Sequence, residues 1–226
     1  MSEQVHSELR AYSDAPALFS PHPLFENFGE RVERSEACVR LGLDPANRYV
    51  LFFGLIRDYK GLDLLLDAWA QLRRAGRTEG RRLIVAGEFY TAREPYLNRI
   101  ADNGLQDEVL LHDRFIPDDD VKYYFSAADF VVQPYKTATQ SGVTQIAYNF
   151  ELPMIVTDVG GLPEIVPDGR VGYVCRPDAA GVADALVRIC EGDTLARFRS
   201  AMREEKRRFS WEEMCDRITE LCESIR

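Results

Sequence analysis

Short, almost uninterrupted apolar runs recur along the chain, separated by amphipathic stretches. The runs Tyr49–Phe53 (YVLFF), Arg82–Ala86 (RLIVA), Glu108–Leu111 (EVLL), Asp129–Gln133 (DFVVQ), Met154–Thr157 (MIVT) and Gly172–Cys175 (GYVC) predict strands. Their near-continuous Val, Ile, Leu and Phe content is that of strands covered on both faces, which predicts a parallel sheet. Leu62–Leu72 places Leu65, Trp69 and Leu72 on one helical face, and Val121–Ala128 and Val143–Phe150 behave similarly. Strand–helix units repeated at this length predict an α/β fold, a doubly wound Rossmann-like parallel sheet.

The two ends depart from that rhythm. Residues 3–12 read as an isolated helix, followed by a rigid Pro21-His22-Pro23 turn. Residues 193–225 read as two helices with charged outer faces, broken near Phe209-Ser210. Ser210 followed by Glu213 is a capping-box pattern for the second of them.

Composition narrows the function classes. A chain of 226 residues, 46% hydrophobic and with a formal net charge of −9, folds on its own core, and its acidic balance argues against broad nucleic-acid or anionic-membrane binding while leaving room for a local cationic pocket for a phosphate. Cys38, Cys175, Cys190, Cys215 and Cys222 are scattered without CxxC spacing, as reduced thiols of a cytosolic protein are. His6, His22 and His112 show no metal-ligand spacing, so no metal site is expected. The polar start MSEQVHSELRAYSD has no apolar leader, and no apolar run is long enough to span a bilayer. A cytoplasmic protein is expected, touching a membrane only through a partner or substrate.

In open α/β sheets, ligands sit beyond the carboxyl ends of the strands. Four post-strand loops are therefore candidates. Gly54 to Gly61 carries two glycines with Arg57 and Lys60, which would suit a diphosphate, although this loop alone favours a solvated turn. Tyr135 to Val143 offers hydroxyls and a glycine at a helix start, with no Asp or Glu between Pro134 and Phe150. That favours an anion over plain capping by Thr139 or Ser141. Thr157 to Val166 holds Gly160-Gly161 and Pro163, a tight strand-to-helix corner. Phe115-Ile116 before Pro117 is either a wall for a nucleobase or a core plug. Neither a GxGxxG fingerprint nor a P-loop occurs.

Taken in order, FFGLIRDYKGLDLLLDAW, RLIVAGEFY, VLLHDRFIPDDDVKYYFSAADFVVQPY and ELPMIVTDVGGLPEIVPDGRVGYV resemble the C-terminal, donor-binding half of GT-B glycosyltransferases of family 4 (group 1). The likeness covers roughly residues 48–178. It implies one half of a GT-B architecture and a retaining, metal-independent transfer of a hexosyl group from a nucleotide sugar, with no cofactor. It also implies that Lys60, and Arg57 at an offset position, hold the diphosphate leaving group as catalytic cations. Donor contacts implied are Gly54, the Phe115-Ile116 backbone at the base, Thr139, Gln140, Ser141, the Gly142-Val143 amides at the distal phosphate, and Gln145.

Two departures from the family pattern stand out. Its paired glutamates fall here at Ala138 and Ile146, neither acidic, and the neighbouring Thr139-Gln140-Ser141-Gly142-Val143 and Gln145 are the neutral hydrogen-bonding groups available to substitute. The N-terminal acceptor domain is also expected to be missing. The chain divides on this reading into a remnant and interdomain segment (1–29), a nucleotide-sugar-binding domain (30–192) and C-terminal helices that pack back on the absent half (193–226). Poor transfer without that half, in cis or trans, is expected. A non-catalytic nucleotide-sugar-binding or interaction module is the alternative, and a nucleotide-sugar epimerase a weaker third.

Overall fold

A computed structural model describes residues 3–225; Met1, Ser2 and Arg226, the outermost positions of the expected terminal segments, lie outside them. Six strands form one parallel sheet: β1 (Arg48–Phe53), β2 (Arg81–Ala86), β3 (Val109–His112), β4 (Phe130–Gln133), β5 (Met154–Thr157) and β6 (Gly172–Cys175). Each predicted strand is present, shifted by no more than one residue at its start. The spatial order is β3-β2-β1-β4-β5-β6. The chain thus builds outward from β1, returns to its other side and builds outward again, which makes the sheet doubly wound.

The period of two within each strand sorts its residues between two cores. Tyr49, Leu51, Val131, Met154 and Val156 face one core; Val50, Phe52, Phe130, Val132 and Ile155 face the other. The first core is covered by α2 (Arg34–Leu41), α5 (Asp118–Ala127) and α6 (Gly142–Asn149). The second is covered by α3 (Leu62–Arg74), α4 (Glu94–Asp102) and α8 (Ala179–Ile189), with Phe198 of α9 (Thr194–Glu205) closing one side. Two covered faces explain why the strands read as continuous apolar runs.

The helix ends follow local chemistry. Asp178 accepts from the Gly181 amide at the start of α8, and α5 opens on Asp118, Asp119 and Asp120 at the positive end of its dipole. The Thr157–Val166 corner forms as read, with Pro163 in the first turn of the short α7 (Leu162–Ile165). The first helix, α1 (Glu3–Arg10), ends two residues before its predicted limit. At the other end, a 3-10 turn at Lys206–Phe209 separates α9 from α10 (Trp211–Ser224). Ser210 caps α10 by accepting from the Glu213 amide at 3.1 Å. Phe209 is buried against Tyr148, ring centroids 4.8 Å apart, and its carbonyl accepts from the Leu24 amide. Arg217 donates to the Phe19 carbonyl. The segment around residues 19–25 is therefore tied to the start of α10.

Gly61 fixes how closely β1's loop approaches β4. It adopts φ +69°, and a Cβ there would sit 1.9 Å from the Pro134 carbonyl oxygen. Gly76 has the same φ with nothing within 4 Å. In denaturant melts, Gly76→Ala should lose about 1–2 kcal/mol, the cost of a Cβ in the left-handed region. Gly61→Ala should lose about 1–3 kcal/mol more, because the backbone must also move.

Candidate functional site

The strand order reverses between β1 and β4, so their carboxyl ends leave a crevice between diverging loops. The loop after β1 runs Gly54 to Gly61 and that after β4 runs Pro134 to Ser141. Lys136 pins them together: its Nζ pairs with Asp58 at 2.7 Å and Asp63 at 2.9 Å, and its amide donates to the Tyr59 carbonyl. Gly160 holds the second loop from behind. A Cβ on it would fall 1.5 Å from the Ala138 oxygen, and the Gly161 amide donates to the Thr139 carbonyl.

Lys60 is a cation that this arrangement leaves without a carboxylate. It is half-buried, its ammonium lies 5.7 Å from the Tyr135 ring centroid, and it pairs with no carboxylate among the described residues. Gly54, at φ +99°, makes room for it: a Cβ there would stand 3.1 Å from Lys60 Nζ and 3.7 Å from Val143 Cγ2. Burial, aided by the neighbouring Arg57 charge, lowers the Lys60 ammonium to about 8. Asp58 and Asp63, on the same loop and helix start, pair with Lys136.

The opposite wall is the start of α6. Ser141 is its N-cap: its Oγ accepts from the Val143 amide at 3.2 Å and lies 3.0 Å from Tyr135 Oη. Burial pushes the Tyr135 phenol well above its usual range, so it remains a neutral hydrogen-bonding group. The Gly142 amide has no partner from within the described chain, and the first turn of α6 carries no acid. A half-buried cation thus faces an uncapped amide at the positive end of a helix. That combination suits a phosphate group.

The expected site residues separate into those brought together and those held apart. Gly54, Lys60, Gln140, Ser141, Gly142 and Val143 meet around one cleft of about 300 Å³. The Val143 amide, expected at a phosphate, is already bonded to Ser141, which leaves Gly142 as the available donor. Gln145 lines an adjoining cavity of about 290 Å³, its buried Oε1 without a partner. Arg57 is exposed and its guanidinium lies 5.2 Å from the Tyr90 ring centroid, outside the cleft lining. Ile116 is the core plug of the two alternatives, whereas Phe115 is 65% exposed and does not line the cleft. Thr139 is exposed and contributes its carbonyl to the loop.

Sequence reasoning missed the remaining walls. Tyr59 and Tyr135 meet edge to face at 6.0 Å. Phe25, Phe28 and His22 close the cleft and its neighbour from the segment before α2. The aromatic spacing of PHPLFENF was the available signal. Among the described residues no cluster of three or more His, Cys, Asp or Glu could hold a metal, and no helix is long and apolar enough to cross a membrane.

A family model described as "Glycosyl transferases group 1" matches residues 47–192, well over half of the chain and including both loops. The chain belongs to the group 1 glycosyl transferase family. The D-inositol 3-phosphate glycosyltransferase of Jonesia denitrificans is 28% identical over 187 residues, covering 80% of this chain and 44% of that protein. This group 1 chain spans about half the length of the curated relatives it matches. In fold it is similar to sucrose-phosphate synthase from Thermosynechococcus elongatus, with a TM-score of 0.82 and 24% identity over 100% of this chain and 57% of that one. It is also similar to Anabaena HepE, a structure in complex with UDP-glucose, with a TM-score of 0.66 and 22% identity over 84% of this chain and 52% of that one. The six-stranded parallel sheet flanked by helices matches GT-B glycosyltransferase structures.

The depressed Lys60 ammonium has a stability signature. Its charged form is disfavoured in the fold relative to an ordinary value of 10.5, so the cost is full below about pH 8 and fades as pH rises towards 10.5. Lys60→Met should therefore be more stable than the parent at pH 7, by about 1 kcal/mol once partial solvation is allowed for. The difference should disappear near pH 10.5. Urea titrations of both proteins at the two pH values measure it.

Proposed function

We propose that this chain is the donor-binding, C-terminal half of a family 4 glycosyltransferase that transfers a hexosyl group from a nucleotide sugar with retention and without a metal. One observation carries the reading: Lys60, a half-buried cation without a carboxylate partner, faces the α6 N-terminus across the β1–β4 crevice. Lys60 neutralises the diphosphate as the sugar–phosphate bond breaks, and the Gly142 amide holds a phosphate oxygen. The Lys60 charge and the Gly142 amide dipole are fixed in place before reaction, which is electrostatic stabilisation of the transition state. Arg57 reaches the diphosphate only if it leaves Tyr90. Thr139, Gln140 and Gln145 supply neutral hydrogen bonds where the family pattern has glutamates. The HepE complex with UDP-glucose supports a nucleotide sugar as the ligand class.

The division into segments 1–29, 30–192 and 193–226 belongs to this proposal, and so does the acceptor domain that completes the cleft. Positioning of an acceptor and exclusion of water require a second wall. The neutral residues at Ala138 and Ile146 favour, as a second reading, a binding module without transfer activity.

Isothermal calorimetry with UDP, GDP, ADP and their common sugars tests donor binding. One base should bind, and Lys60→Ala should weaken it at least tenfold. Affinity should be flat below about pH 8 and fall above it, as Lys60 loses its proton. Binding that ignores both Lys60 and pH overturns the assignment. Hexosyl transfer on addition of an N-terminal acceptor half in trans separates the enzyme from the binding module.

A further inference from the structure

The opposite end of the sheet holds a second cluster of cations. Arg48 and Arg81 stand at the starts of β1 and β2, and Asp129 immediately precedes β4. Together with Arg199 of α9 they line a cavity of about 330 Å³. A second cavity of about 290 Å³ adjoins it, sharing Val50, Arg81, Phe130 and Cys190, and is walled further by Trp69 and Leu186.

Charge in the first cavity is not balanced from within. Asp129 is buried, and one carboxylate serves Arg48 at 3.0 Å and Arg34 at 3.9 Å while also accepting from the Tyr49 amide. Arg199 reaches only the Asp129 carbonyl, at 3.1 Å, and its Nε is buried without a partner. The Nε of Arg34 is likewise buried and unpaired. Burial and the charges of Arg31, Arg48 and Arg34 hold the Arg199 guanidinium below its usual range, against a smaller opposing pull from Asp129. Asp193 and Glu191, on the cavity rims, are exposed to solvent.

Three guanidiniums, those of Arg48, Arg81 and Arg199, line this one cavity against the single buried carboxylate of Asp129, and an anion placed among them gains charge-assisted hydrogen bonds. The adjoining walls of Trp69, Phe130 and Leu186 give an apolar surface for the body of such a ligand. We propose that these cavities form a binding site for a phosphomonoester of small-molecule size, separate from the donor cleft. Its phosphate sits among Arg199, Arg48 and Arg81, and its body lies towards Trp69. The site stands at the amino ends of the same strands, β1 and β4, whose carboxyl ends carry the donor loops.

Trp69 lines the site and supplies the readout. The chain has two tryptophans, so Trp211→Phe leaves Trp69 as the sole reporter. Lys60→Ala in the same protein suppresses anion binding in the donor cleft. This double variant of the full chain is titrated with inorganic phosphate, glucose 6-phosphate and glucose in 150 mM salt, the last as the uncharged control. Saturable change with glucose 6-phosphate, at least fivefold tighter than with phosphate and absent with glucose, is expected. Arg199→Gln should weaken it at least tenfold. Arg81→Gln, on the wall that both cavities share, should do so as well. No saturable signal with either anion, or affinity unchanged in the arginine variants, overturns the proposal.

Discussion

The contact between the loop after β1 and the end of β4 governs the molecule. Gly61 presses on the Pro134 carbonyl because it has no side chain, and Lys136 bridges back to Asp58 and Asp63. That contact sits where the strand order reverses. Without it the two central strands would still pair, but their loops would splay and Lys60 would have no fixed position relative to α6. A parallel sheet always needs long crossovers. Here one crossover, from β3 through α5 to β4, brings together groups that lie far apart in sequence.

Lys60 shows how the fold sustains an unfavourable charge. An ammonium loses stability when taken from water without a carboxylate, and Lys60 pairs with none among the described residues. Stability given up at one position is thereby stored as readiness for an anion. The surrounding core, split evenly between two faces of the sheet, is large enough to bear the loss.

The sheet was legible because a strand buried on both faces must be apolar throughout, and each of the six announced itself in that way. Helices α3 and α6 were legible from their apolar stripes. Helix α2 was not, since it buries only Ala37 and Cys38, and small residues leave a weak periodic signal. At the site, Gly54, Lys60 and Ser141 to Val143 could be read because glycines, a cation and hydroxyls followed predicted strands. The pairing of Lys136 and the placement of Arg57 over Tyr90 could not. Both depend on side chains that choose among neighbours only after folding. The aromatic wall from Phe25 and Phe28 was hidden for another reason: it comes from a segment outside the strand–helix rhythm, and nothing local says where it will pack.

That wall has a consequence for the order in which the molecule forms. The segment bearing His22 and Phe25 is secured by the Leu24 amide on Phe209 and by the Phe19 carbonyl under Arg217, a contact spanning 198 positions of sequence. Contacts between remote positions carry the greatest loop-closure entropy and tend to form late. The sheet and its helices can assemble from near neighbours, while the cleft beside Lys60 waits for the two distant segments to find each other. The least local part of the chain is thus the part that walls the cleft.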